Sequence, residues 1–156
     1  MATSERTPRV ALSEQRVGEF VAALGARTPA PASGAATALT AALAAALAEL
    51  VARFARDDAI AARANVLAAR LLQLADEDSD AYAAFMAART DETRRRIVEV
   101  PEEIAASADE IARLAGTVRA RVSTAVAGDA DAAAELAEAA ARVARRLVEL
   151  NAKGQT

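Results

Sequence analysis

The chain has 156 residues, enough for one domain with a substantial core, and carries a formal net charge of -3. It is rich in alanine, with aromatic residues at 3% and few Gly and Pro, a composition that favours closely packed helices. The absence of Cys and His excludes thiolate nucleophiles, imidazole bases and Cys/His zinc sites. The available chemistry is that of carboxylates, hydroxyl groups, arginines and the backbone.

Charge and hydropathy also limit the expected partners. A net acidic chain lacks the dense basic surface that nucleic acids require, and its basic run 94–96 is interpreted as a solvated helix end. The apolar run 35–50 is mostly alanine and falls short of a membrane span, so it is interpreted as a buried helix. Nothing at the N-terminus resembles a secretory signal. We therefore expect a cytoplasmic protein that binds neither nucleic acid nor membrane.

The N-terminal part of the chain is expected to form a tail, a short helix and a loop. Residues 1–12 are polar and predict a flexible tail. Ser13 then caps a first helix that Gly25 closes. The segment 28–34 contains two prolines, which predict an extended loop leading directly into the next helix.

Two long helices are predicted next. The second helix should run over about 35–56, with its larger apolar side chains facing the core. These side chains are Leu39, Leu43, Leu47, Leu50 and Phe54. Asp57 and Asp58 are expected to stop this helix and to cap the third, which should extend from about Ala59 to Arg89.

The C-terminal half predicts two further helices. After a short helical turn at 93–98, Pro101 is expected at the first position of the fourth helix, where its missing N–H costs nothing. Gly128 is expected to break that helix, and Asp129 to cap the fifth. The predicted fold is therefore all-α, an antiparallel bundle of about five helices in a single domain over 13–152.

One carboxylate of the third helix lies on its apolar side. At about 100° per residue, Asp78 projects in the same direction as the large apolar residues of this helix. These residues are Leu67, Leu71, Leu74, Tyr82 and Phe85. Burial of a lone carboxylate raises its pKa and prepares it to exchange protons. The structural alternative is a salt bridge from Asp78 to Arg63 or Arg113.

Three further residues are candidates for binding a ligand beside Asp78. Ser33 and Gly34 lie at the start of the second helix, where unpaired N–H groups attract anions or carbonyl oxygens. Tyr82 lies one turn beyond Asp78, and its hydroxyl could donate a hydrogen bond to a ligand. The alternative for Tyr82 is a core residue with its hydroxyl at the rim.

Two motifs occur in order along the chain: a Pro-Ala-Pro loop at 29–31 and an Asp-x-Asp-x-x-Ala-Tyr helix at 76–82. The accompanying segments are Val17-Gly18-Glu19-Phe20, Val100-Pro101 and Ala139-Ala140-Ala141-Arg142-Val143-Ala144. In this combination the chain resembles the family of formimidoyltetrahydrofolate cyclodeaminases and methenyltetrahydrofolate cyclohydrolases, as a diverged member with a shortened C-terminus. The resemblance covers most of the chain.

The resemblance implies a helical homodimer that acts on one-carbon derivatives of tetrahydrofolate. Such enzymes hydrolyse the methenyl bridge, or close a formimino group with loss of ammonia. The family's catalytic candidate is the second aspartate of the acidic motif, which falls on Asp78. Asp129 and Asn151 match two further family positions, so the resemblance adds them as substrate-binding candidates. It implies no metal and no cofactor, because the folate is the substrate.

The loop after Pro-Ala-Pro departs from the family pattern. Where the family carries Gly-Gly-Gly-Ser, this chain has Ala32-Ser33-Gly34-Ala35, which adds side chains where a ligand approaches the backbone and predicts a narrower pocket. A relative acting on another amidine, imine or cyclisable substrate would use the same carboxylate. The alternative function is a non-catalytic binding or structural dimer that has lost the family's chemistry.

Overall fold

A computed structural model describes residues 10–154 of the chain. Over this range it contains five α-helices and one short 3₁₀ turn, Leu12–Glu14, and no strand. The helices are α1 (Val17–Gly25), α2 (Ser33–Phe54), α3 (Asp58–Ala87), α4 (Asp91–Arg119) and α5 (Thr124–Ala152). Short connections join the four long helices, which makes successive helices antiparallel neighbours. The predicted all-α bundle of five helices is confirmed.

The central helix α2 is buried through alanine and not through its leucines. It packs against α3, α4 and α5. Its buried alanines are Ala35, Ala38, Ala41, Ala42, Ala44, Ala45, Ala48 and Ala52. The predicted core stripe is correct for Leu39 and Leu47, which pack against the core, and wrong for the other three. Leu43, Leu50 and Phe54 are 65%, 40% and 63% exposed. Small side chains let three neighbouring helices approach α2 closely, and these three larger ones lie on the side that is left uncovered.

Among the described residues, α2 alone is long and apolar enough, by length and composition, to cross a membrane. The same helix packs inside the bundle, and 56% of its most apolar window is buried there. Its composition is therefore accounted for by its place among three other helices.

The N-terminal segment differs from its prediction in two respects. Residues 1–9 of the predicted tail lie outside the described residues, but Leu12 is already part of the fold. Its side chain is buried, and its N–H donates to Asp76 Oδ1 at 3.1 Å. The prediction that Ser13 caps the first helix is wrong, because Ser13 lies within the 3₁₀ turn and α1 begins only at Val17.

The start of α3 and the direction of its apolar face agree with the sequence. Asp57 caps α3, and its Oδ1 accepts a hydrogen bond from the Ile60 N–H at 3.0 Å. Four of the apolar residues predicted to accompany Asp78 are buried. They are Leu67, Leu71, Leu74 and Phe85.

The fourth helix begins ten residues earlier than predicted. Thr90 caps it by accepting a hydrogen bond from the Thr93 N–H at 3.2 Å, so the turn at 93–98 is part of α4. The prediction that Pro101 occupies the first helical position is wrong, since it is buried in the helix interior. Pro101 removes one backbone hydrogen bond from α4, and packing against the other helices keeps α4 continuous at this point.

The fifth helix also begins earlier than predicted. It starts at Thr124, so Gly128 does not break the preceding helix and Asp129 does not cap the next. A glycine inside a helix costs about 1 kcal/mol relative to alanine. The apolar face that starts at Ala130 is buried against the bundle and outweighs that cost.

Candidate active site

A cavity of about 280 Å³ lies where the loop before α2 meets the first turn of α2 and helices α3, α4 and α5. Five of the six candidate residues line this space, which we call the Asp78 cavity. They are Ser33, Gly34, Asp78, Tyr82 and Asn151. The lining residues that sequence reasoning missed are Pro29, Ala30, Ala32, Ile97, Leu147 and Leu150. The volume is near the lower end of the range for small-molecule sites.

Asp78 is half-buried and forms no ion pair with any residue between 10 and 154. Burial raises the pKa of Asp78 from its ordinary 3.8 to about 6, and a hydrogen bond from the backbone N–H of Ala35 partly opposes that rise. The alternative, a salt bridge from Asp78 to Arg63 or Arg113, is not formed. The Arg63 Nε lies 2.6 Å from Glu110 Oε1, and the charge of Arg113 also lowers the pKa of Glu110. Asp78 is therefore a carboxylate that can change protonation near neutral pH.

The other carboxylates of the acidic motif have different surroundings. Asp76 accepts the hydrogen bond from Leu12, and Glu77 forms ion pairs with Arg70 and Arg96. Within the motif 76–80, only Asp78 lines the cavity. The helical-wheel argument that separated Asp78 from its acidic neighbours is thus reflected in the structure.

The start of α2 supplies hydrogen-bond donors to the same space. The residue before the helix is Ala32, which has no side chain able to cap it. The first helical hydrogen bond joins the Ala36 N–H to the Ala32 carbonyl, so the N–H groups of Ser33 and Gly34 have no acceptor within α2. The cavity thus combines donor N–H groups at a helix start with one carboxylate.

Gly34 lies at the closest approach of α2 to Asp78. A Cβ atom added at Gly34 would overlap the Asp78 carboxyl group. Only glycine leaves room for that carboxylate to reach the Ala35 N–H. In the segment 32–35, the one remaining glycine is therefore at the position where the site requires it.

Asn151 reaches the cavity from the last turn of α5. Its Nδ2 donates a hydrogen bond to the Ile97 carbonyl in α4 at 2.6 Å. Tyr82, which is half-buried, lines the cavity one turn after Asp78. The walls therefore come from four helices, with the polar groups concentrated around one carboxylate.

Comparison with known proteins identifies the family. Residues 16–156 match the family model described as formiminotransferase-cyclodeaminase. The chain belongs to this family. A crystal structure of formiminotetrahydrofolate cyclodeaminase from Thermotoga maritima has a TM-score of 0.87 at 24% identity, covering 92% of this chain and 81% of that chain. At that identity the likeness shows a shared fold. None of the curated proteins matches this sequence.

The resemblance stated from the motifs is thus confirmed at the level of the family. In this cyclodeaminase-family member, the structure does not bring Asp129 into the cavity. Asp129 lies near the start of α5, about 33 Å along the helix from Asn151. Ile97 was missed because an apolar side chain does not indicate a functional site. The signal that would have pointed to it is Pro101, which leaves the carbonyl four residues earlier without a helical donor.

Proposed function

We propose that this chain is a cyclodeaminase or cyclohydrolase that acts on a one-carbon derivative of tetrahydrofolate, with Asp78 as the proton-transfer group. The observation that carries the proposal is a half-buried carboxylate without an ion-pair partner among the described residues, lining a cavity at the start of α2. Membership of the formiminotransferase-cyclodeaminase family supports this reaction class. So does the name of the structural neighbour, a formiminotetrahydrofolate cyclodeaminase.

In the cyclodeaminase reaction, the substrate carries a protonated formimino group on N5. N10 attacks the formimino carbon, and the new bond makes N10 more acidic, so its proton passes to the Asp78 carboxylate. Protonated Asp78 then returns this proton to the amino nitrogen of the tetrahedral adduct. The bond from carbon to that nitrogen breaks, ammonia leaves, and the positive charge remains on the methenyl bridge. A carboxyl group with a pKa of about 6 both accepts and returns a proton at neutral pH.

In the cyclohydrolase reaction, water attacks the methenyl carbon instead. Asp78 accepts one proton from the attacking water and releases it to solvent. The hydroxyl proton of the adduct moves to N5 as the bond between carbon and N5 breaks, which leaves a formyl group on N10. In both reactions the negative carboxylate also stabilises the cationic carbon. Both consist of proton transfers and bond changes at one carbon, and neither step requires a metal or a cofactor.

The remaining lining groups have proposed binding roles. Ser33 and Gly34 line the cavity, and we expect their N–H groups to donate to a carbonyl oxygen of the pterin ring. The Tyr82 hydroxyl is a second donor at the wall formed by α3. A cavity of about 280 Å³ admits the bicyclic end of a folate, and the rest of the substrate would extend into solvent.

We also propose that the chain forms a homodimer through the uncovered side of α2. Leu43 of this face borders an apolar groove with Val17 and Val21 of α1, which are 80% and 59% exposed. With Leu50 and Phe54 further along α2, they are exposed apolar side chains that a second copy would cover around a two-fold axis. The cytoplasmic location expected from the sequence remains a prediction.

The test is a pair of assays on the purified chain. With formimino-tetrahydrofolate, methenyl absorbance and ammonia should appear together; with methenyltetrahydrofolate, the methenyl absorbance should be lost. In whichever assay the wild type is active, we expect Asp78→Asn to lower the rate by about 100-fold or more. Asp80→Asn is the control, because Asp80 is exposed on the same helix and does not line the cavity. Wild-type rates equal to buffer in both assays would contradict the proposal and favour a non-catalytic helical dimer.

A further inference from the structure

We infer that Pro101 is a positioning residue that fixes the Asn151 amide, so that Asn151 offers its Oδ1 to a ligand in the Asp78 cavity as a hydrogen-bond acceptor. The contact itself is independent of any activity. The identity of the ligand rests on the proposed function, whereas the hydrogen bond from Asn151 to Ile97 can be tested without it.

Pro101 interrupts the backbone hydrogen bonding of α4. In a continuous helix, the N–H of residue 101 would donate to the carbonyl of residue 97. Proline has no N–H, so the Ile97 carbonyl has no donor at that position of its own helix. Ile97 is 4% exposed, so a carbonyl left there without a hydrogen bond would be costly.

The Asn151 side chain supplies the donor that Pro101 lacks. Asn151 extends from the last turn of α5, and its Nδ2 lies 2.6 Å from the Ile97 oxygen. A carbonyl oxygen can only accept, so the amide nitrogen must face α4. Turning the amide over would place its Oδ1 against the Ile97 oxygen, which is repulsive. The proline therefore determines which way the Asn151 amide faces.

The Asn151 amide has a second polar atom, Oδ1, which this hydrogen bond leaves available. Asn151 and Ile97 both line the Asp78 cavity, and no hydrogen bond within residues 10–154 engages Asn151 Oδ1. The Asp78 carboxylate and the Asn151 oxygen are thus acceptors that two different helices bring to this cavity. A ligand that fills the space between them should present a hydrogen-bond donor to Asn151. The amino and ring N–H groups of a pterin, and the formimino nitrogen, are of this kind.

The Pro101→Ala variant tests the inference directly. Alanine restores a helical N–H that competes with Asn151 for the Ile97 carbonyl. Gly116→Ala is the matched control, because it also raises the helix propensity of α4, and its new Cβ has nothing within 4 Å. Circular dichroism establishes that each variant folds.

The first measurement is the side-chain amide NMR signal of Asn151, assigned by its loss in Asn151→Ala. We expect its hydrogen exchange to accelerate about fivefold or more in Pro101→Ala and to be unchanged in Gly116→Ala. An unchanged signal in Pro101→Ala would overturn the inference. This measurement requires no activity, so it stands even if the wild type turns over neither folate and the proposed function fails.

The second measurement is steady-state kinetics on whichever folate the wild type converts. Pro101→Ala should raise KM about fivefold with little change in kcat, since Asn151 binds the ligand and Asp78 performs the chemistry. Asn151→Asp should raise KM more strongly, because a carboxylate faces the unpaired Ile97 carbonyl. Adding Pro101→Ala to Asn151→Asp should then partly restore KM. Purely additive effects of the two substitutions would overturn the inference.

Discussion

The Asp78 carboxylate accepts a hydrogen bond from the backbone N–H of Ala35, so a side chain of α3 caps α2. Ala32, at the position where a capping residue normally lies, has no side-chain oxygen for this purpose. The positive end of the α2 dipole stabilises the negative charge, and burial opposes it more strongly. One carboxylate therefore closes a helix end and lines the candidate active site.

Replacing Asp78 with Asn should stabilise the protein at neutral pH but not in acid. The folded protein raises the pKa of Asp78 from 3.8 to about 6, so it binds the proton more tightly than the unfolded chain does. The resulting stability is complete below about pH 4 and is lost as the pH rises through about 6. Asn has no charge and keeps an oxygen that can accept from Ala35.

Urea unfolding of both proteins at several pH values measures this effect. The advantage of Asp78→Asn in the free energy of unfolding should grow from near zero at about pH 4 to on the order of 3 kcal/mol at about pH 8. A difference that stays constant across this range would show that the carboxyl group titrates normally in the fold.

The rate of the proposed reaction should depend on ionisation of the same group. Only the carboxylate form of Asp78 can accept a proton, so kcat/KM should rise about tenfold per pH unit below about pH 6 and level off above it. The measurement is a pH profile with the uncatalysed rate subtracted at each point. Retention of this acidic limb in the residual activity of Asp78→Asn would assign it to another group.

Gly34→Ala should displace Asp78 and remove most of the activity. The added methyl group would overlap the carboxylate, and a shift of about 1 Å in a catalytic group can cost about 100-fold in rate. Gly116→Ala is the control, because its Cβ meets nothing within 4 Å. We expect that control to keep full activity and to gain up to about 1 kcal/mol in stability. Equal activity of the two variants would refute a close contact between Gly34 and Asp78.

Leu43→Glu should dissociate the proposed homodimer. Leu43 is 65% exposed on the uncovered face of α2, where a buried charge at a two-fold interface would be unpaired. Leu136→Glu on α5 is the control, since Leu136 is also exposed but lies on another helix. Sedimentation should show monomers for Leu43→Glu and dimers for the control and the wild type. A monomeric wild type would contradict the proposed homodimer.

The features that sequence reasoning predicted correctly depend on local patterns. The direction of Asp78 follows from the helical period, because α3 is long and regular enough for the wheel to hold. The start of α3 follows from Asp57, whose side chain caps the helix within three residues. Ser33 and Gly34 were predicted as site residues because the loop with two prolines ends near them and a helix begins there. None of these inferences required knowledge of another helix.

The features that were missed depend on contacts between helices. Pro101 and Gly128 are expected to interrupt a helix locally, and each is held within one by packing that the sequence does not display. The hydrogen bond from Asn151 to Ile97 joins residues 54 positions apart. The leucine stripe of α2 misled the prediction because large apolar residues are usually the buried ones, whereas here the alanines are buried.

An interior built from alanine reverses the usual tolerance of a core to substitution. In a leucine-filled protein, the damaging changes are truncations that open cavities. At Ala38, Ala41 or Ala45, which are fully buried, there is almost no side chain to remove, and even one added methylene must push two helix axes apart. At these buried positions, residues larger than alanine are therefore excluded, and sequence variation should accumulate on the outer faces of the helices.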